Sequence, residues 1–157
     1  MRQRQPNSRM CFICGTQNPI GLKIIFETDG ECVWAQFTPR DEHQGYPGVL
    51  HGGITFALLD EVIGRAAMEL DNSPWMMTAK AEMRFRRRVP LGEELTLMGK
   101  LTRVRSRTVE GYGEIRLSDG SVAVEAKALY IRVPESLAEQ MKEQMGEEMR
   151  YWRVIED

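Results

Sequence analysis

The stretch from Gly52 to Leu70, GGITFALLDEVIGRAAMEL, constrains the fold more than any other part of the chain. It has no internal proline and is rich in Ala, Leu and Ile, which predicts a helix of about five turns. Its apolar residues run nearly all the way round, the pattern of a helix enclosed by other structure rather than half exposed on a surface. The remaining chain must supply the enclosure. One residue breaks the pattern: Asp60, a carboxylate whose burial without a partner would be costly.

Strands can build that enclosure. Leu22 to Phe26 and Cys32 to Phe37 are β-favouring runs separated by Thr28-Asp29-Gly30, and Asp-Gly is a strong hairpin signal. Residues 39–50 hold proline and two glycines with no sustained period, and read as a loop. After a turn at Asp71-Asn72-Ser73-Pro74, residues 77–86 alternate strictly. Met77, Ala79, Ala81, Met83 and Phe85 take one face, and Thr78, Lys80, Glu82, Arg84 and Arg86 the other. Pro90-Leu91-Gly92 ends this strand. Residues 94–104, 107–117 and 122–133 read as a meander with a turn at Ser118-Asp119-Gly120. The order predicts an α+β fold in which a curved antiparallel sheet wraps one long central helix. Residues 135–152 read as a surface helix. Its stripe Leu137, Met141, Met145 and Met149, spaced by four, predicts packing on the sheet. The expected organisation is a mobile N-terminal tail over 1–10, one domain over 11–134 and a C-terminal helical extension over 135–157.

Charge and composition exclude several classes. Net charge is −2, from 21 basic and 23 acidic side chains, so no whole-chain field favours nucleic acid or an anionic membrane. The chain has no run of 18 apolar residues, and no apolar segment follows the polar N-terminus, which predicts a soluble, cytoplasmic protein. Three cysteines, an odd number, are expected as reduced thiols. Cys11-x-x-Cys14 invites a zinc reading, but a structural site wants four ligands and only Cys32 and two histidines remain, so no metal is expected. No GxSxG elbow offers a serine for a Ser-His-Asp triad.

The segment richest in chemistry runs from Gln44 through Gly45-Tyr46-Pro47-Gly48-Val49-Leu50 to His51-Gly52-Gly53 and into the helix. Glycines at a helix start let a ligand approach the first-turn amides, which lack intrahelical acceptors. With the positive helix end, those amides suit a carbonyl oxygen that gains charge during attack. Asp60 lies nine residues after His51. Its residues alone leave two readings open: a catalytic carboxylate, or a structural one paired with a buried donor, with Glu61 as a solvated neighbour. Gly53 and Asp60 are seven residues apart, hence on one face but about 10 Å apart along the axis. An antiparallel second copy of the helix would bring Asp60 opposite the glycines, and Gly53, Ala57, Gly64 and Ala67 would permit that approach. A two-fold dimer with shared sites is the simplest solution.

His51-Gly52-Gly53, the spaced Asp60 and Gly64, the loop from Gln44 to Gly48, and Phe85 through Arg88-Val89-Pro90-Leu91-Gly92-Glu93 together resemble the PaaI-like branch of the hotdog-fold thioesterases. So does the leader Cys11-Phe12-Ile13-Cys14-Gly15 with Asn18-Pro19-Ile20-Gly21-Leu22, and the likeness covers roughly residues 11–133. The resemblance implies hydrolysis of an acyl-CoA thioester in a homodimer or dimer of dimers. Coenzyme A would enter as part of the substrate, without another cofactor. It implies that Gly52 and Gly53 polarise the carbonyl, that Asp60 of the neighbouring subunit attacks or activates water, and that His51 orders the helix start. Gln44 would hold the water or the carbonyl. This chain carries Gly45 where some relatives carry Asn. Arg84, Arg86 and Arg88, with Lys80 and Thr78, are the candidates for the coenzyme A phosphates, although an arginine run also suits a solvated edge. A hotdog hydratase or dehydratase and a non-catalytic acyl-CoA-binding protein are the alternatives.

Overall fold

The computed structural model describes residues 1–70 and 75–155, so the turn expected at Asp71–Pro74 lies outside the described residues. Seven strands form one antiparallel sheet. They are β1 (Gln3–Arg4), β2 (Phe26–Thr28), β3 (Cys32–Phe37), β4 (Met76–Phe85), β5 (Leu95–Val104), β6 (Thr108–Arg116) and β7 (Val122–Arg132). Their spatial order is β1-β2-β3-β5-β6-β7-β4. Helix α1 (Gly52–Arg65), prolonged by a 3-10 turn over Ala66–Glu69, touches β3, β4, β5, β6 and β7, so the sheet curves round it. This is the expected hotdog arrangement.

The core lies between them. Leu58, Leu59, Val62 and Ile63 are fully buried against Phe26, Val33, Leu95, Leu97, Val109, Ile115 and Val124. Each such side chain contributes about 1.5–3 kcal/mol by leaving water. The helix sits close because Gly99, Gly111 and Gly113 leave a furrow beneath it. A Cβ at Gly99 would collide with the Val62 carbonyl, and one at Gly111 or Gly113 with the Ile63 side chain. Among the described residues, no helix is long and apolar enough to cross a membrane.

Four expectations are corrected. Residues 1–10 are no free tail: Gln3 and Arg4 pair with Thr28 and Glu27, and buried Asn7 donates to the Cys14 and Ile24 carbonyls at 2.7 and 2.9 Å. Backbone pairing and amide bonding, rather than apolar burial, hold this segment. The strand expected over Leu22–Phe26 begins only at Phe26, because the backbone amides of Leu22 and Ile24 donate to Phe12 and Ile13 of the leader. Helix α1 is not closed in on all sides either. Gly52, Gly53 and Phe56 are exposed, Phe56 by 40%, on the side away from the core.

The fourth correction concerns the ends of the chain's outer elements. Strand β4 lies at the sheet edge, with Met77 and Phe85 exposed by 59% and 55%, and its alternation is interrupted by a bulge between Thr78 and Lys80. Thr78 therefore faces α1 together with Ala81 and Met83 instead of standing with the arginines. Helix α2 (Glu135–Met145), continued by a 3-10 segment over Gly146–Tyr151, buries no residue. Its methionine stripe does not dock on the sheet as expected; Met145 and Met149 line a cavity beside α1.

Candidate active site

The loop before α1 is tied down by backbone bonds. The Leu50 N–H donates to the Val89 carbonyl at 2.8 Å and the His51 N–H to the His43 carbonyl at 2.9 Å. His43 is buried against Phe37, and its Nδ1 accepts from the Arg40 N–H at 3.0 Å. Burial lowers the His43 pKa, with the Arg40 charge adding to the effect. His43 is thus a structural pin for the loop that the sequence did not single out.

His51 is the N-cap of α1, and its Nδ1 accepts from the Gly53 N–H at 2.9 Å. That bond occupies the Gly53 amide. Among the described residues the Gly52 N–H has no acceptor, so of the two glycines Gly52 carries the free donor at the positive helix end. It opens on a cavity of about 730 Å³ lined by Gly45, Tyr46, His51, Gly52, Phe85, Arg86 and Arg88, among others. Arg87 lies there too. Arg86 is paired with Glu125 at 2.8 Å and holds that carboxylate below its ordinary range. Gln44 is exposed, forms a backbone bridge to Leu50 and does not line this cavity. Nor do Arg84 and Lys80, both exposed on β4.

Asp60 opens elsewhere. It lines a second cavity, of about 680 Å³, with Cys11, Cys14, Glu61, Gly64, Met68, Met76, Thr78, Tyr130, Met145, Met149 and Trp152. The Asp60 Oδ1 accepts from the Thr78 hydroxyl at 2.8 Å and lies 3.4 Å from the Tyr130 hydroxyl, which also donates to the Asp60 carbonyl at 3.0 Å. Burial and then the Asp60 charge push the Tyr130 pKa up, so its hydroxyl remains a donor. One oxygen is fixed and the other, Oδ2, has no protein partner among the described residues, in a largely apolar cavity.

Glu61 is not the solvated neighbour expected. Its side chain is 23% exposed and its Oε1 accepts from the Arg65 Nε at 2.9 Å, while burial raises its pKa. Arg65 lies over the Phe26 ring at 4.3 Å and donates to the Pro6 carbonyl. Cys11 and Cys14 stand beside this pair; the hydrogen bond between the two sulfurs raises Cys11 and lowers Cys14. Tyr130 and Glu61 are the residues the sequence reading missed. Tyr130 looked like any strand aromatic, and a Glu following a singular Asp offered no signal of its own.

Residues 47–124 match the family described as the Thioesterase superfamily. The chain is 31% identical over 98 residues to the acyl-coenzyme A thioesterase THEM4 of Xenopus laevis, a match covering 62% of this chain and 43% of that protein. It is similar to the crystal structure of protein RHA08564, a thioesterase superfamily protein, with a TM-score of 0.72 and 36% identity over 78% of this chain and 60% of the other. The E. coli PaaI protein from the phenylacetic acid degradation operon shares the fold, with a TM-score of 0.65 and 17% identity over 72% of this chain and 81% of PaaI. This chain spans less than two thirds of the length of THEM4 and of RHA08564.

Proposed function

We propose, from the match of residues 47–124 to the Thioesterase superfamily, that this chain hydrolyses an acyl-CoA thioester to a carboxylic acid and coenzyme A. The Gly52 N–H holds the thioester carbonyl, and Asp60 of the partner subunit attacks it or takes a proton from the attacking water. One observation carries this reading: helix α1 bears a free amide at its start and a half-pinned carboxylate eight residues on, opening into two different cavities. Eight residues are about 12 Å of helix, too far for both groups of one chain to act on one carbonyl. A two-fold pairing of α1 against α1 joins each amide to the opposite carboxylate. The open stripe of α1 and the unpaired edge of β4, with Met77 and Phe85 exposed, favour such a pairing.

The parts then have distinct work. Thr78 and Tyr130 fix Oδ1 of Asp60 so that Oδ2 points at the carbonyl carbon or the water. His51 keeps the helix start in register by capping Gly53. Arg86 and Arg88 at the mouth of the Gly52 cavity suit the phosphates of coenzyme A. The thiolate is a good leaving group, so the reaction needs no cofactor beyond the coenzyme A of the substrate.

Thiol release from a panel of acyl-CoA substrates tests the reading. Asp60→Asn is expected to lower kcat by about 10²–10⁴-fold, the range of a positioned acid or base. Unchanged turnover removes Asp60 from catalysis. Tight acyl-CoA binding without thiol release identifies a binding protein, and enoyl-CoA hydration lost in His51→Ala identifies a hydratase. Co-expressing Asp60→Asn with Gly52→Pro tests the shared site. Random pairing leaves one intact site in each mixed dimer, restoring about a quarter of wild-type activity; no restoration refutes sharing.

A further inference from the structure

We propose that Cys11, Cys14 and Glu61 form a three-ligand site for a thiophilic divalent cation, zinc by its donor set, which ties the N-terminal leader to α1. The site does not rest on the thioesterase reading. One ligand atom from each of the three residues lies within 4.8 Å of the others, although α1 and the leader are far apart in sequence. Tetrahedral zinc, with Zn–S about 2.3 Å and Zn–O about 2.0–2.2 Å, sets S···O edges near 3.6 Å and S···S edges near 3.8 Å. The Cys11 Sγ to Glu61 Oε2 distance is 3.9 Å, so a cation could be seated by small side-chain rotations.

The leader is shaped for this. In the turn Cys11-Phe12-Ile13-Cys14-Gly15, the Ile13 N–H donates to the Cys11 Sγ at 3.3 Å and the Gly15 N–H to the Cys11 carbonyl at 2.8 Å. The Ile13 amide fixes the direction of the Cys11 Sγ. A Cβ at Gly15 would collide with the Cys11 carbonyl, so the turn closes this tightly only with glycine there. Asn7 secures the far side of the turn through the Cys14 carbonyl at 2.7 Å.

The surroundings of Glu61 supply the outer support typical of metal ligands. Its Oε1 is held by Arg65, which leaves Oε2 turned toward Cys11. Arg65 is 4% exposed, and among the described residues its Nη2 has no hydrogen-bond partner. Two thiolates and one carboxylate carry three negative charges. A divalent cation and the Arg65 guanidinium carry three positive ones, so the buried cluster is neutral when loaded. The cavity that Cys11, Cys14 and Glu61 line together with Asp60 leaves room for a water as the fourth ligand. Sequence counting missed the site because it sought a third cysteine or a histidine, whereas the third donor is a glutamate on the central helix.

The test is metal content of the full chain, untagged, loaded with zinc in reductant and freed of excess by gel filtration. About one zinc per chain is expected, falling to near none in Cys11→Ser and Cys14→Ser. Glu61→Gln, nearly isosteric and kept folded by its neighbours, is expected to lower zinc affinity while circular dichroism stays unchanged. Cobalt in place of zinc is expected to give thiolate charge-transfer absorption that Cys14→Ser abolishes, and removing the metal to lower Tm. A zinc-free chain after loading, a cobalt spectrum without thiolate character, or full zinc retention in the cysteine variants overturns the proposal. So does a melting temperature unmoved by removing the metal.

Discussion

Removing the Gly52 N–H isolates one donor without disturbing the helix that carries it. Gly52 is the first helical residue after the cap His51. Proline is favoured at that position because its missing N–H has no intrahelical acceptor and its ring presets the helical φ. His51 has φ −58° and ψ 131°, an extended backbone that tolerates a following proline. A Cβ at position 52 meets only the Phe85 ring, at 3.8 Å. Gly52→Pro should therefore fold with Tm close to wild type and lose a single hydrogen-bond donor. Loss of one donor to a developing oxyanion costs about 2.7–4 kcal/mol, or about 10²–10³ in kcat. Gly52→Ala adds the same Cβ but keeps the N–H, and should retain most activity. Thiol release under saturating acyl-CoA measures both. A folded proline variant with wild-type kcat refutes the role of this amide, and equal losses in the two variants show that shape, not the donor, matters.

Two other outcomes follow from the cavities and the hairpin. Arg88→Ala should raise KM for acyl-CoA by about three- to tenfold with kcat unchanged, the scale of an exposed charge–phosphate contact, and should leave acyl-pantetheine substrates unaffected; equal effects on both substrate classes would detach Arg88 from the phosphates. Asp29 accepts from the Cys32 N–H at 2.7 Å, the Trp34 Nε1–H at 2.9 Å and the Glu31 N–H at 3.1 Å, which pushes its carboxyl from 3.8 down to about 2. A depressed carboxyl adds stability above its ordinary pKa and loses it as pH falls. The Tm difference between wild type and Asp29→Asn should therefore close as pH drops from about 4 to about 2, and a gap that persists at the acid end contradicts the assignment.

The elements that rest on local pattern were legible in the sequence. The Asp29-Gly30 hairpin, the helix starting at Gly52 and the meander over β5, β6 and β7 each follow from turn chemistry or apolar spacing within about a dozen residues. What was not legible depends on partners distant in the chain. Polar residues 1–10 read as a tail, yet Asn7 is satisfied by carbonyls at Cys14 and Ile24 and its backbone bridges to Arg153. The candidate site was legible only in part for the same reason. Asp60 and Gly52 declared themselves by position on one helix, whereas Tyr130 and Glu61 acquire meaning only from what the fold sets beside them. Gly53 looked equivalent to Gly52 until the cap by His51 distinguished them.

The bulge between Thr78 and Lys80 sets the phase of β4. On either side of it the strand keeps its ladder with β7, but odd and even positions exchange faces. Pairing Ala79 with Tyr130 instead would restore an unbroken period of two and turn the first half of the strand over like a page. Thr78 would swing to solvent, Ala79 would take its place against α1, and Asp60 would lose its short hydroxyl bond with no residue near it replaced. A slip of one residue in pairing, silent in any inventory of side chains, would thus disarm the carboxylate while the sheet stayed whole.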